Sequence, residues 1–205
     1  MKHVWIAAAL TLVMPVETSA QSARACEPRV AIGAAAGLLT VDIPIDPVLA
    51  GVGRFGLATA TGTGLEGAVQ TTVPIAADWS LKAELGAGAM AVAQERDGTG
   101  NYVRRKTGDD ITIQRLQVGL QHHRAGLRSC GYASLEVGLY RYGYRGTALN
   151  VPGAAGTVGL EVPRSGSGTL FVEVGVSVAL TRLLAPTAAE LVANIRPAVG
   201  WRFRF

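Results

Sequence analysis

The chain has 205 residues, with 19 Lys and Arg against 15 Asp and Glu, a formal charge of +4 at pH 7 and only 17% charged residues. Charge this sparse, below the roughly 25% usual in soluble domains, and scattered rather than clustered, argues against nucleic acid as a partner. Two cysteines and three histidines without ligand spacing argue against a zinc site, and no cofactor is implied.

The first segment runs from a basic start, Met1-Lys2-His3, through the apolar stretch Val4 to Val13, to the small residues Thr18-Ser19-Ala20. This order is that of a secretory signal peptide. The apolar run falls short of the roughly 20 residues a membrane helix needs. Residues 1–20 are therefore expected to be a signal peptide cleaved after Ala20, with residues 21–205 forming one exported domain. A lipoprotein site at Cys26 is disfavoured by Arg24, which stands where a small residue is needed. Both cysteines, Cys26 and Cys130, fall in the exported part, where oxidising conditions favour a bridge.

From residue 29 onward the chain alternates in character with the period of two expected of β-strands. Arg29 to Thr40 is a weak strand rich in Ala and Gly. Leu65 to Ile75 sets Leu65, Val69 and Val73 against Glu66, Ala68 and Gln70. From Trp79, Leu81, Leu85 and Ala87 oppose Lys82, Glu84 and Gly86; between Gln114 and Gln121, Leu116 and Val118 oppose Arg115 and Gln117. After Cys130, Leu135, Val137 and Leu139 oppose Ser134, Glu136 and Gly138. Thr157 to Val162 is weaker, with Glu161 facing away from Leu160. In Gly168 to Thr181, six aliphatic positions oppose Phe171, Glu173 and Ser177. Finally Leu191, Ile195, Val199, Trp201, Phe203 and Phe205 share one face, and Asn194, Arg196, Arg202 and Arg204 the other. A helical reading conflicts with 26 glycines, each costing about 1 kcal/mol relative to alanine inside a helix.

Eight such segments match the smallest membrane barrels. The polar faces combine Gly, Ala and Ser with isolated charges, not the dense Lys and Glu of a surface in water. The expected fold is thus all-β: a closed antiparallel transmembrane β-barrel of about eight strands, aliphatic side out. Its lumen is expected to hold Glu66, Lys82, Glu84, Arg115, Glu136, Glu161, Glu173, Arg196 and Arg202, since a cation facing lipid at mid-depth costs about 2–4 kcal/mol. Short turns are expected at Ala76 to Asp78, His122 to Ser129 and Pro163 to Gly168, on the periplasmic side. Longer extracellular loops are expected at Val41 to Arg54, Gln94 to Asp110, Arg145 to Gly156 and Arg182 to Glu190. Under this arrangement Cys26 and Cys130 share the periplasmic rim, although their strands are expected on opposite sides of the barrel. Interfacial girdles account for Trp79 and Trp201, and Tyr140 falls on the lumenal side.

The terminal run Gly200-Trp201-Arg202-Phe203-Arg204-Phe205 resembles the closing strand of the outer-membrane β-barrel superfamily, small OmpA/OmpX-type members especially. The resemblance implies location in the cell outer membrane and contact with its lipid and lipopolysaccharide. It also implies that Trp201, Phe203 and Phe205 form a signal read by the barrel assembly machinery. No peptidoglycan-binding domain is expected after the barrel, so the anchoring role of larger relatives is not among the expectations.

For function the sequence favours a monomeric barrel with a structural or surface-interaction role, its interior closed by ion pairs. A narrow pore for small solutes is the first alternative. A lipid A-modifying enzyme is the second, but the nominees His122, His123 and Ser129 sit in an expected periplasmic turn, so no catalytic residue is assigned. A soluble barrel binding an apolar ligand is the third; it requires the aliphatic face to line the cavity. His122-His123 is a poor metal pair, because adjacent strand residues point to opposite faces. Loop residues Arg104, Arg105 and Lys106 are candidates for lipopolysaccharide phosphates, beside balancing acidic residues.

Overall fold

The computed structural model describes residues 26–45, 58–96, 102–103, 110–125, 129–144, 147–163, 168–181 and 190–205. The expected signal peptide and the loop cations Arg104, Arg105 and Lys106 lie outside these residues. Every element described is a strand: β1 (Ala31–Ile45), β2 (Ala58–Ala76), β3 (Trp79–Arg96), β4 (Tyr102–Val103), β5 (Asp110–Ala125), β6 (Cys130–Tyr144), β7 (Thr147–Pro163), β8 (Gly168–Thr181) and β9 (Glu190–Arg204). Each long strand pairs antiparallel with the next, β4 adds only a two-residue ribbon to the end of β3, and β9 pairs back onto β1. The eight long strands therefore close into a barrel, leaving no sheet edge unpaired, the condition for β-structure to stand in hydrocarbon.

The alternation in the sequence becomes a sorting of faces. Leu135 is 77% exposed, Leu65 70% and Leu38 61%, whereas Lys82 and Glu161 are 0% exposed. A barrel in water would sort them the other way, with aliphatics inside. The requirement of the soluble ligand-binding alternative is thus not met, and the wall is that of a barrel spanning a membrane. At the rim that carries both ends of the described chain, Trp79, His122, Phe203 and Phe205 form an amphipathic border; the Trp79 and His122 rings lie 4.8 Å apart, edge to face. Such rings suit the headgroup level.

Four expected connections are corrected. Arg145 to Gly156 is not a long loop: β7 begins at Thr147, paired with Tyr144, so only residues 145–146 separate β6 from β7. Its Asn, Pro, Gly and Ala content reads as loop locally. Pairing with β6 overrides that, and Pro152 lies beyond the β8 ladder, which starts at Gly153, an edge-like position that tolerates proline. His122 to Ser129 is not wholly a turn either, since β5 continues to Ala125 opposite Cys130. Likewise β1 runs on to Ile45, and β3 to Arg96, where Val41 to Arg54 and Gln94 to Asp110 were expected as loops. The strands gain length because each extension finds a ladder partner, which composition does not reveal.

The β1–β9 ladder that closes the barrel is interrupted between Gly37↔Ala198 and Thr40↔Ile195. The Phe205 N–H donates to the Val30 carbonyl, and hydrogen-bonded pairs alternate along an antiparallel ladder, so Pro197 stands where an N–H should reach Leu38. Proline has none. A Cβ on Gly37 would come within 2.4 Å of the Pro197 carbonyl oxygen, so glycine is required where the two strands approach.

Candidate functional site in the barrel lumen

The inward faces of β2, β3, β5, β6, β8 and β9 bring one charged layer together around Glu84. Lys82 Nζ lies 3.0 Å from Glu84 and 2.9 Å from Glu136; Arg196 lies 2.8 Å from Glu84 and 2.9 Å from Glu173. Arg115 pairs with both Glu66 and Glu84 and donates to Gln117. The Ser134 hydroxyl donates to Glu136 and the Tyr132 hydroxyl to Glu173, each at 2.7 Å. A second group lies nearer the rim with the chain ends. There Glu161 takes both Arg202 and Arg204, Arg202 also reaches Gln70, and its guanidinium stands 4.8 Å from the centre of the Phe171 ring.

All nine expected lumenal charges are thus buried within one of these two groups. Arg204, on the same face as Arg202 by simple alternation, belongs with them. Among the described residues the lumen then holds five carboxylates and five cations, every one of them in an ion pair. Neutrality matters because an uncompensated charge taken out of water costs several kcal/mol.

Glycine makes the room. A Cβ at Gly159 would lie 2.3 Å from Tyr132 Cζ, and one at Gly200 would lie 2.3 Å from Phe171 Cζ. Small inward residues on one strand therefore admit rings from the next. Tyr132, Tyr140 and Tyr142 all point inward and are 5% exposed or less. Only Tyr140 is assigned to the lumen by sequence.

Above the charged layer, towards the rim away from the chain ends, the lumen changes character. Leu39, Met90, Ile111, Ile113, Val151 and Val192 point inward and are at most 2% exposed. Between the two layers lies a cavity of about 10 Å³, bordered by Leu39, Ile113, Arg115 and Arg196, room for about one water molecule. Alternation places Val192 on the inward face of the last strand, but the layer as a whole escapes the sequence reading, because Leu39 stands in a weak strand, Val151 in an expected loop, and Met90, Ile111 and Ile113 between expected elements.

The nucleophile nominees fare differently from one another. His122 faces outward against Trp79, and His123 faces inward with its Nε2 3.1 Å from Ser80 Oγ and 3.2 Å from Gln121 Nε2. Ser129 is not part of this group. Ser80 is 0% exposed, and among the described residues no acid partners His123 Nδ1. A serine is activated by a base that a third group orients, so this pair lacks both access and its orienting partner. No group of three or more metal-ligating side chains occurs among the described residues.

A disulfide links Cys26 to Cys130, with Cα atoms 5.3 Å apart. Strands β1 and β6 are diametrically opposite, four steps apart either way round the ring. The five residues Cys26 to Val30, reaching at most about 17 Å when extended, carry the first cysteine across the mouth, so the bridge straps that rim. Trp201 and Phe203 contact each other edge to face at 6.4 Å on the outer wall of β9, where Phe205 follows at 75% exposed.

No protein-family model and no curated protein matches the sequence. Among solved structures, the chain is similar to Neisserial surface protein A, with a TM-score of 0.54 at 10% identity over 85% of this chain and 99% of that one. It is also similar to the outer-membrane protein AlkL, solved in lipid bilayers, with a TM-score of 0.50 at 14% identity over 94% and 95% of the two chains. At these identities the likeness is one of fold.

Proposed function

We propose that this chain, a β-barrel of the small outer-membrane type, is a closed, non-conducting scaffold with a structural or surface-interaction role. The observation that supports the reading is the filled lumen: a charge-balanced layer whose ions satisfy one another, capped by an apolar layer. A hydrated pore lined by mixed charge needs a continuous polar path. Here an ion leaving the charged layer meets six buried apolar side chains, where it loses its hydration without replacement. Catalysis is not part of the proposed role, since the serine–histidine contact found among the described residues is sealed from lipid and solvent.

On this reading the aromatic positions Trp201, Phe203 and Phe205 serve assembly, the protein acts as a monomer, and the connections at the rim away from the chain ends make the contacts at the cell surface. The test is single-channel recording of the purified protein in planar bilayers. No discrete conductance is expected; steps of reproducible size, abolished by Ile113→Arg, would replace this reading with the narrow pore.

A further inference from the structure

Among the described side chains, one charge on the outer wall is not explained by the membrane alone. Within that set, Glu27, Arg29, Asp78 and Arg124 are exposed at the rim with the chain ends, and Arg141 is the one charged side chain described on the wall between that rim and the other. It lies on β6 with its exposed side chain pointing away from the lumen, and the register sets Gln114 of β5 and Asn150 of β7 directly to either side. Both neighbours also face outward. Directly opposed side chains have Cβ atoms about 4.5–5.5 Å apart, so a guanidinium and two amides form one row across three strands. Every cation in the lumen has a carboxylate, but among the described residues none pairs with Arg141.

The depth of the row identifies what meets it. Arg141 is eight residues along β6 from Ala133, the cross-strand partner of His122 in the aromatic border. At about 3.4 Å per residue and a tilt of about 40°, that is roughly 20 Å along the membrane normal. The row therefore stands near the far edge of an apolar band about 25 Å tall. Beneath it the wall is aliphatic, with Leu116, Leu139 and Val137 all about half exposed or more. Beyond it come Thr112, Gly143 and Ala148.

We propose that Gln114, Arg141 and Asn150 bind the phosphate of an amphiphilic lipid in the leaflet opposite the chain ends, its acyl chains lying on the aliphatic wall below. A guanidinium offers a planar fork of donors matched to phosphate oxygens, and each flanking amide adds N–H donors. The site rests on the membrane-spanning reading and adds a specific lipid contact to it.

The test is native mass spectrometry of the full exported chain in non-ionic detergent, with bisphosphorylated lipid A as the probe. Arg141→Gln is expected to lower the lipid-bound fraction about tenfold in apparent affinity, the loss of a charge-assisted contact, and Arg141→Lys to restore part of it. Dephosphorylated lipid A is expected to bind wild type and Arg141→Gln alike, and inorganic phosphate not to displace the lipid. Equal binding of lipid A by wild type and Arg141→Gln overturns the site, and full displacement by inorganic phosphate overturns the assignment to a lipid. If the chain instead stays soluble without detergent and shows no heat-modifiable gel migration, the membrane reading fails, an outcome distinct from either.

Discussion

Glu84→Gln tests whether the lumen is held by charge balance rather than by filling alone. Glu84 is 1% exposed and contacts Lys82 at 3.0 Å, Arg196 at 2.8 Å, and Arg115. The substitution keeps the volume and removes one negative charge, leaving five lumenal cations facing four carboxylates. Breaking a buried ion pair on one side costs about 3–5 kcal/mol, because the remaining charge is stranded away from water. With a urea slope of about 2 kcal/mol per molar, the midpoint of unfolding from lipid vesicles should fall by roughly 1.5–2.5 M. A second substitution, Lys82→Met, restores the balance and should recover part of the loss, the non-additivity expected of side chains in one network. The assay is tryptophan fluorescence against urea in vesicles. A midpoint unchanged in Glu84→Gln, or a double variant whose loss equals the sum of the two single ones, would refute the reasoning.

Further outcomes follow from the same geometry. Val137→Arg, four residues along β6 from the aromatic border and 62% exposed, should cost about 2–4 kcal/mol in vesicle refolding; a surface position in water would lose no more than about 0.5 kcal/mol. Reduction of Cys26–Cys130 opens a link between residues 104 apart, so dithiothreitol should slow migration on unheated gels and lower stability by up to about 4–5 kcal/mol in the chain-entropy account; an unchanged urea midpoint would mean the strap carries no load. Pro197→Val supplies the missing donor to Leu38 and should raise stability by about 0.5–1.5 kcal/mol, with faster amide exchange in wild type than in the variant at Leu39 and Thr40. Gly159→Leu should displace the Tyr132 ring that its Cβ meets at 2.3 Å and destabilise the barrel, read out as loss of the heat-modifiable gel form.

What the sequence determined by itself is the sorting of faces. In a strand, the side to which a residue points depends only on parity, a local property. Alternation therefore assigned Glu66, Lys82, Glu84 and Arg115 to the lumen and Leu135 and Val137 to lipid before any pairing was known. Parity also placed Arg204 beside Arg202, and the export context suggested that Cys26 and Cys130 pair. Tertiary structure alone decided who meets whom. Arg196 reaches Glu66 across 130 positions and Arg202 reaches Gln70 across 132, because closure and stagger of the barrel, not spacing along the chain, set which inward residues share a level. The same cause hid the strand at Thr147 to Gly156, whose composition reads as loop until β6 pairs with it, and the apolar layer around Ile111 and Val151. It also hid the row of Gln114, Arg141 and Asn150, which exists only because three strands come into register.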